Sequence, residues 1–178
     1  NFEITQFPTH RIATIRTTPQ QPTPTHQYAL VPRNGSLPEL PDNVTVIRTP
    51  AERVVVMETV YIGYLNALGK LETIVGAATV DYISNATIRS RIEKGSIQTV
   101  QIGAALNIER LLLLQPDLIL TSISSTPPFD MPANLDRSGL PIVRSAGYIE
   151  QHPLARLEWI KFIAAFFDAD DQAYKSFD

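Results

Sequence analysis

Cysteine is absent from this 178-residue sequence, which excludes disulfide bonds, cysteine-ligated zinc sites and thiol nucleophiles. Charged residues are also few: 15 Lys and Arg residues stand against 18 Asp and Glu residues, for a net charge of −3. Because the basic residues form no cluster, the sequence predicts no nucleic-acid partner. No apolar run reaches the roughly 18 residues that a transmembrane helix requires.

The motifs of common catalytic and cofactor sites are missing as well. No glycine-rich turn follows the first predicted parallel strand, which argues against a dinucleotide site or a phosphate-binding loop. No Gly-x-Ser fragment lies in a strand-to-helix elbow, so a serine hydrolase is unsupported. The histidines are His10, His26 and His152, and none follows the first four parallel strands. We therefore predict neither a transition-metal site nor a cofactor.

Hydrophobic residues make up 44% of the sequence and charged residues 19%, which indicates a packed core rather than disorder. Residues 1–52 lack helical spacing and alternate between apolar and polar residues. This pattern predicts a small antiparallel β extension with strands within residues 2–18, 28–31 and 44–47. Residues 17–26 are rich in proline and predict a connection without regular structure.

From residue 53 onward, apolar strands alternate with short helices, which is typical of an α/β fold. We predict a Rossmann-like lobe over residues 53–152, with a parallel sheet, helices on both faces and right-handed crossovers. Its best-defined unit is residues 107–122. Asn107 is a good N-cap, Glu109 suits the first turn of a helix, and Pro116 ends that helix before a buried strand. Further strands are predicted at 54–57, 73–77, 100–102 and 141–143, and further helices at 60–68 and 85–93.

Residues 153–178 contain the longest helical pattern, a predicted spine helix from Leu154 to Phe177. Its apolar residues cover two adjoining faces, so we expect it to pack against more than one body. The helical pattern continues to the last residues, and Asn1 is not an initiator methionine. We therefore expect the sequence to be part of a longer chain, divided at a domain junction.

Functional loops of a parallel sheet lie at the carboxyl ends of its strands. The predicted loops at that edge share hydroxyl and aromatic side chains, which suit a sizeable, partly polar organic ligand. For any single tyrosine, packing at the base of a loop is an equally good interpretation. The shared edge favours a ligand site for the set as a whole. The candidate ligand-binding residues are Thr59, Tyr61, Thr79, Tyr82, Ser122, Ser124 and Tyr148.

Several fragments, in order and spacing, resemble the class III periplasmic substrate-binding proteins, the components of ABC importers that collect iron-siderophores, haem or cobalamin. That resemblance implies two Rossmann-like lobes joined by a rigid helix, with the ligand in the cleft between them. Only the first lobe and the start of the interlobe helix are present here. The fragments are Arg53-Val54-Val55-Val56, Leu65-Asn66-Ala67-Leu68-Gly69, Ile74-Val75-Gly76, Gly95-Ser96-Ile97, Val100-Gln101-Ile102-Gly103, Asn107-Ile108-Glu109-Arg110, Pro116-Asp117-Leu118-Ile119-Leu120, Gly139-Leu140-Pro141-Ile142-Val143, His152-Pro153-Leu154 and Glu158-Trp159-Ile160-Lys161-Phe162.

The resemblance also implies a role for Glu109. Cobalamin-binding members carry a glutamate in the matching Asn-x-Glu-Arg position, where it docks onto arginines of the permease. As structure alone, the same carboxylate complements the helix dipole, and the sequence by itself favours that reading. One departure affects the ligand site, because the loop after the first strand reads Glu-Thr-Val-Tyr here rather than the Ser-Pro type of the family.

The resemblance therefore predicts the substrate-binding component of an ABC importer, and not an enzyme. Its ligand would be a metal chelate, an iron-siderophore or haem ahead of cobalamin, delivered to a membrane permease. The implied protein is a monomer, periplasmic or lipid-anchored on the outer face of the inner membrane. Two alternatives are a small α/β transferase or hydrolase at the same sheet edge, with Asp81 or Glu58 as base, and an interaction module built on the β extension. No nucleophile–base pair or phosphate loop favours the enzyme.

Overall fold

The computed structural model describes residues 1–16, 25–102, 105–123 and 133–177. The predicted connection at 17–26 therefore falls largely outside the described residues. The strands are β1 (Phe2–Gln6), β2 (Arg11–Ile15), β3 (His26–Pro32), β4 (Val44–Thr49), β5 (Val54–Val56), β6 (Ile74–Ala77), β7 (Gln98–Thr99), β8 (Gln101–Ile102), β9 (Ala105–Leu106), β10 (Leu118–Ser122) and β11 (Ile142–Ser145). The helices are α1 (Thr59–Ala67), α2 (Ala86–Glu93), α3 (Ile108–Leu114), α4 (Ala133–Asp136), α5 (Pro153–Ala164) and α6 (Asp170–Phe177).

A five-stranded parallel sheet forms the centre of the lobe, in the order β11-β10-β5-β6-β7. Alternate residues of its central strands belong to two different cores, as expected for a sheet covered on both faces. Val54 and Val56 pack in the core that contains α1 and α5, whereas Val55 packs in the core that contains Leu111 of α3 and Leu135 of α4. The predicted α/β class is confirmed.

The third predicted strand needs correction. Residues 100–102 were expected to enter the parallel sheet, but the strand that does so is β7, at residues 98–99. The next residues turn away as β8, which pairs with β9 in a separate antiparallel ribbon. Val100 lies between these two strands with its side chain buried, and the predicted run contributes only to the antiparallel ribbon.

The unit at residues 107–122 forms as predicted. Asn107 caps α3, with its side-chain oxygen accepting a hydrogen bond from the backbone N–H of Arg110 at 2.9 Å. Gln115 ends the helix in the left-handed conformation (φ 45°), directly before Pro116. Strand β10 follows at once, and all five of its residues are buried.

Residues 1–52 form a four-stranded sheet in the order β1-β2-β3-β4. The first three strands are antiparallel, as predicted, whereas β4 pairs parallel to β3. This sheet shares one hydrophobic core with the lobe. Tyr28 of β3 contacts Phe162 and Phe166 edge-on, with ring centroids 6.2 and 5.9 Å apart, and Phe2 lies 5.1 Å from Trp159. The β extension therefore packs against helix α5 and the turn that follows it.

The predicted single spine helix is wrong in its continuity. Helix α5 passes into a 3-10 turn at Ala165–Phe167, and Asp168 adopts a left-handed conformation (φ 50°) before α6 begins. In a continuous helix, the carbonyls of Ala165 and Phe166 would accept hydrogen bonds from N–H groups of the next turn. Here they accept hydrogen bonds from the N-terminal part of the chain. Arg11 donates to the carbonyl of Ala165 at 2.5 Å, and the Ala51 N–H donates to Phe166 at 2.9 Å.

The same arginine holds the start of α6. Its guanidinium bonds Asp168 at 2.6 Å and Asp170 at 2.9 Å, which fixes both carboxylates where the second helix begins. Helix α5 contacts both the N-terminal sheet and α1, and its packing against a second lobe stays a prediction. Among the described residues, no helix has the length and apolar character needed to cross a membrane.

Candidate functional site

The carboxyl edge of the parallel sheet brings together loops from distant parts of the sequence. The chain starts the sheet at β5, adds β6 and β7 on one side, and then adds β10 and β11 on the other. The strand order therefore reverses between β5 and β10. In open α/β sheets, ligands bind in the crevice at such a reversal. Glu58 follows β5 and Ser122 ends β10, so these two residues mark the crevice.

Glu58 joins the two sides of this crevice through one carboxylate oxygen. Its Oε1 accepts hydrogen bonds from the Thr121 hydroxyl at 3.1 Å and from the Ser122 N–H at 3.3 Å. Its Oε2 is buried and has no hydrogen-bond partner among the described residues. Burial raises the pKa of Glu58 to about 7, against the opposing effect of the two hydrogen bonds. The carboxyl group is therefore partly protonated at neutral pH.

Tyr61, a candidate ligand-binding residue by sequence, is packed in the core. Its side chain is 0% exposed, so as placed it cannot contact a ligand directly. Its hydroxyl donates to the carbonyl of Thr121 and also bonds the hydroxyls of Ser122 at 2.8 Å and Ser145 at 2.9 Å. Burial raises the pKa of Tyr61 well above its usual value. Tyr61 thus fixes the ends of β10 and β11 and sets the orientation of Ser122.

Other predicted residues lie nearer the surface of this edge. Tyr148 is 53% exposed after β11, Tyr82 is 80% exposed after β6, and Thr59 is exposed at the start of α1. Thr79 is partly buried in a left-handed conformation (φ 48°), with its hydroxyl 3.4 Å from the carbonyl of Met57. The predicted Ser124 lies outside the described residues.

Two tyrosines at this edge, Tyr148 and Tyr64, have raised pKa values. Burial raises the pKa of Tyr148, and the Glu58 carboxylate raises it further. Burial likewise raises the pKa of Tyr64, with a second contribution from Tyr148. Tyr64 lies one helical turn after Tyr61 on α1 and donates to the carbonyl of Arg156 at 2.9 Å. The Glu58 carboxylate thus acts on Tyr148, and Tyr148 in turn acts on Tyr64.

Sequence reasoning assigned Tyr64 no role and considered Glu58 only as a base in the alternative enzyme. The available signal for Glu58 was a carboxylate placed immediately after a wholly apolar strand, where burial changes its acidity. For Tyr64, the signal was its spacing of three residues from Tyr61 on a predicted helix, which places the two side chains on one face.

Glu109 is exposed in the first turn of α3. The Asn107 N–H donates to the carbonyl of Val100, just beyond β7, at 2.9 Å. At the other end of the helix, the carbonyl of Leu114 accepts two hydrogen bonds from Arg53, just before β5. Helix α3 therefore runs antiparallel to the strands, and Glu109 lies at the same end of the lobe as the candidate ligand edge. Its docking role stays a prediction.

No group of three or more His, Cys, Asp or Glu side chains in residues 1–16, 25–102, 105–123 and 133–177 is arranged to hold a metal ion. What the edge offers is aromatic surface, hydroxyl groups and one partly protonated carboxyl group. Such a set can hold a ligand by stacking and hydrogen bonding.

Comparison with known proteins identifies the family of this chain. The sequence model of the family described as periplasmic binding protein matches residues 54–178. An uncharacterised lipoprotein of Methanocaldococcus jannaschii is 26% identical over 149 residues, which is 79% of this chain and 35% of the relative. The chain thus spans about a third of that relative's length.

Two solved structures share the fold. One is the siderophore-binding protein BauB, bound to a complex of ferric iron and two molecules of acinetobactin. It is 21% identical with a TM-score of 0.58, and the match covers 74% of this chain and 45% of BauB. The other is a possible iron-binding, periplasmic solute-binding protein from Staphylococcus epidermidis. It is 25% identical with a TM-score of 0.53, and the match covers 71% of this chain and 46% of that one.

The matched family model covers β5, the whole parallel sheet and both helices α5 and α6. The family and its structural neighbours are solute-binding proteins and not enzymes, so the transferase or hydrolase alternative is set aside. The four-stranded N-terminal sheet precedes the matched region. The chain belongs to the periplasmic binding protein family.

Proposed function

We propose that the complete protein captures a metal chelate outside the cytoplasm and delivers it to the permease of an ABC importer. The observation that carries this proposal is the crevice between β5 and β10, where Glu58 and Ser122 meet in a chain of the periplasmic binding protein family. The siderophore complex in the BauB structure and the iron-binding description of the staphylococcal protein support a metal chelate as ligand. An iron-siderophore or haem is preferred over cobalamin.

The residues proposed to contact the ligand are those with accessible surface at the carboxyl edge. Tyr148 and Tyr82 offer aromatic faces for stacking, and Thr59 offers a hydroxyl. Thr79 and Ser122 are more enclosed and would contribute hydroxyl groups at the base of the crevice. Tyr61 acts indirectly in this proposal, because its hydroxyl positions Ser122.

Delivery is proposed to use Glu109, the exposed carboxylate at the same end of the lobe. It would pair with an arginine of the permease while the ligand edge faces the membrane. The protein would work as a monomer, in the periplasm or held by a lipid on the outer face of the inner membrane. The lipoprotein description of the archaeal relative supports an exported protein.

Ligand titration tests the capture step. The complete protein is titrated with haemin, a ferric siderophore and cobalamin, and bound ligand is measured by equilibrium dialysis. One of these probes is expected to saturate at one ligand per protein. Because both lobes supply contacts, the 178-residue chain alone is expected to bind the same probe only weakly. Absence of saturable binding by the complete protein would contradict the proposal, and tight binding by the isolated chain would contradict the two-lobe site.

Reversing the charge of Glu109 tests the delivery step. Glu109→Arg in the complete protein is expected to leave the affinity for the chelate unchanged and to lower cellular uptake by about tenfold or more, because it places like charges at the docking contact. Glu93→Arg is the matched control. Glu93 is also exposed but ends α2, whose last turn lies at the amino end of the sheet, where Arg91 bonds the carbonyl of Ile74. Equal uptake by the two variants would refute the docking role.

A further inference from the structure

Arg11 joins the N-terminal sheet to the bend between α5 and α6. It begins β2, where its backbone lies opposite Leu30 of β3, and its side chain is only 17% exposed. Its Nη2 donates to the carbonyl of Ala165 at 2.5 Å and to the Asp168 carboxylate at 2.6 Å, while Nη1 donates to the Asp170 carboxylate at 2.9 Å. One side chain of the N-terminal sheet therefore holds residues on both sides of the bend.

The bend has no local breaker in its sequence. Residues 164–170 include neither proline nor glycine. Asp168 nevertheless adopts the left-handed conformation (φ 50°) that glycine usually occupies after a helix, and the Ala169 N–H donates to the carbonyl of Ala164 at 3.1 Å. Sharp bends in helical segments arise at proline, at glycine or where a side chain enters the hydrogen-bond ladder. Arg11 is such a side chain, so the direction of α6 depends on a residue of β2.

The N-terminal sheet and the residue that follows its last strand also hold the end of α5. The Ala51 N–H donates to the carbonyl of Phe166 at 2.9 Å. The ring of Tyr28 lies 5.9 Å from that of Phe166 and 6.2 Å from that of Phe162. These contacts fix the residues before the bend, and Arg11 adds contacts that reach past it to the start of α6.

We propose that Arg11 is a positioning residue, which fixes the angle between α5 and α6 and so sets the orientation of the part of the complete protein that follows α6. The inference rests on the proposed ligand-binding function, in which both lobes contact the chelate and the chain reaches the second lobe through α6. The N-terminal sheet thereby acquires a role in ligand binding without touching the ligand. A chelate held by two bodies binds only when both are correctly oriented, so its apparent affinity falls with the fraction of molecules in that orientation.

Hydrogen exchange and ligand titration of the complete protein test the proposal together. Arg11→Ala is expected to speed amide exchange in residues 168–175 at least tenfold, because the start of α6 opens locally more often. It is also expected to weaken binding about tenfold, as for a tenfold smaller correctly oriented population. The probe is whichever of haemin, a ferric siderophore or cobalamin saturates the unaltered protein. Arg16→Ala is the matched control, since Arg16 directly follows β2 and bonds Glu3 at 3.4 Å, and it should change neither result.

Asp168→Asn tests the same contact from the other partner. Asp168 is half exposed, and asparagine also tolerates the left-handed conformation, so the substitution removes the charge without straining the turn. It should weaken binding about threefold in the otherwise unaltered protein. In the Arg11→Ala background it should have no further effect, because both changes remove one shared interaction.

Asp117→Asn controls for a general loss of stability. Its carboxylate accepts hydrogen bonds from Arg33 and from the N–H groups of Glu52 and Arg53, so the substitution weakens another junction between the N-terminal residues and the lobe. It should leave both the amide exchange of residues 168–175 and the affinity for the probe unchanged.

The outcomes separate the role of Arg11 from the ligand-binding function. If no probe binds the complete protein, that function is contradicted and positioning for binding falls with it, while amide exchange still decides whether Arg11 holds the bend. If a probe binds Arg11→Ala and Arg16→Ala equally well, positioning is overturned and the ligand-binding function stands. Equal weakening by Asp117→Asn, or additive effects of Arg11→Ala and Asp168→Asn, would also overturn it. If Arg11→Ala fails to fold, the presence or absence of the threefold effect of Asp168→Asn decides.

Discussion

Replacing Glu58 by glutamine should stabilise the chain at alkaline pH and leave its stability at acid pH nearly unchanged. The folded-state pKa of Glu58 is raised from 4.5 to about 7 by burial. Below pH 4.5 the carboxyl group is protonated in both the folded and the unfolded state, and its full contribution to stability is present. As the pH rises through 7, the folded state must ionise a buried group, and that contribution is lost.

A rise in pKa from 4.5 to about 7 corresponds to about 3 kcal/mol of stability lost between those two pH values. Glutamine has the same shape and carries no charge, so it avoids this loss. Its amide N–H₂ takes the position of Oε2, where the O–H of the protonated carboxyl group would be unpaired as well, so the two proteins should be similarly stable at acid pH. We therefore expect the gain of Glu58→Gln over the original chain to grow by about 2–3 kcal/mol between pH 5 and pH 8.

Urea unfolding at pH 5 and pH 8 measures this difference. Trp159 is fully buried and is the only tryptophan, so its fluorescence reports the loss of the core. Comparing the two proteins at each pH cancels the titration of all other groups. Glu93→Gln, at an exposed position, is the control and should show no pH-dependent gain. A gain of the same size at both pH values would refute the assignment of the perturbed acidity to Glu58.

Three further changes probe the packing around the edge and the N-terminal sheet, each by the same urea assay. Tyr61→Phe removes a hydroxyl bonded to Thr121, Ser122 and Ser145 and should lower the free energy of unfolding by about 1–3 kcal/mol. The control Tyr82→Phe, at an exposed position, should change it by less than about 0.5 kcal/mol. Equal effects would contradict a stabilising role for these hydrogen bonds. Asp117→Asn weakens a carboxylate oxygen that accepts from Arg33 and from the N–H groups of Glu52 and Arg53. It should cost about 1–3 kcal/mol, and an unchanged midpoint would count against that junction. Phe162→Ala removes a ring that contacts those of Phe2, Tyr28, Trp159 and Phe166. It should lower the free energy of unfolding by about 3–5 kcal/mol and speed amide hydrogen exchange in β1–β4. Unchanged protection in these strands would show that the N-terminal sheet does not depend on this ring.

The architecture of the lobe could be predicted because its signals are local. Val54–Val56 and Leu118–Ser122 are short apolar runs, and both are buried strands of the parallel sheet. Asn85 and Asn107 precede helical patterns, and both side chains cap their helices. Gly69 follows the first helix with φ 67°, a conformation that glycine adopts without strain. Each of these features depends on a few neighbouring residues.

The errors arise where distant residues decide the structure. Residues 154–177 keep an apolar pattern throughout, yet the helix breaks because Arg11, more than 150 positions earlier, binds the carbonyl of Ala165. Tyr61 follows the first parallel strand, where a ligand contact was predicted. Its side chain is buried instead, and its hydroxyl bonds those of Ser122 and Ser145. Glu58 gains its raised pKa from burial against β10, about sixty residues later. Local pattern carries no information on such pairings.

The most direct test of the ligand edge is the affinity of the complete protein for a metal chelate, measured for three proteins by equilibrium titration. These are the unaltered protein, Tyr148→Ala at the crevice, and Tyr174→Ala, which removes a similarly exposed tyrosine from α6. Loss of one stacked aromatic ring is expected to weaken binding about tenfold for Tyr148→Ala and to leave Tyr174→Ala unchanged. Equal affinities for the two variants, or no saturable binding by the unaltered protein, would contradict a chelate site at the crevice between β5 and β10.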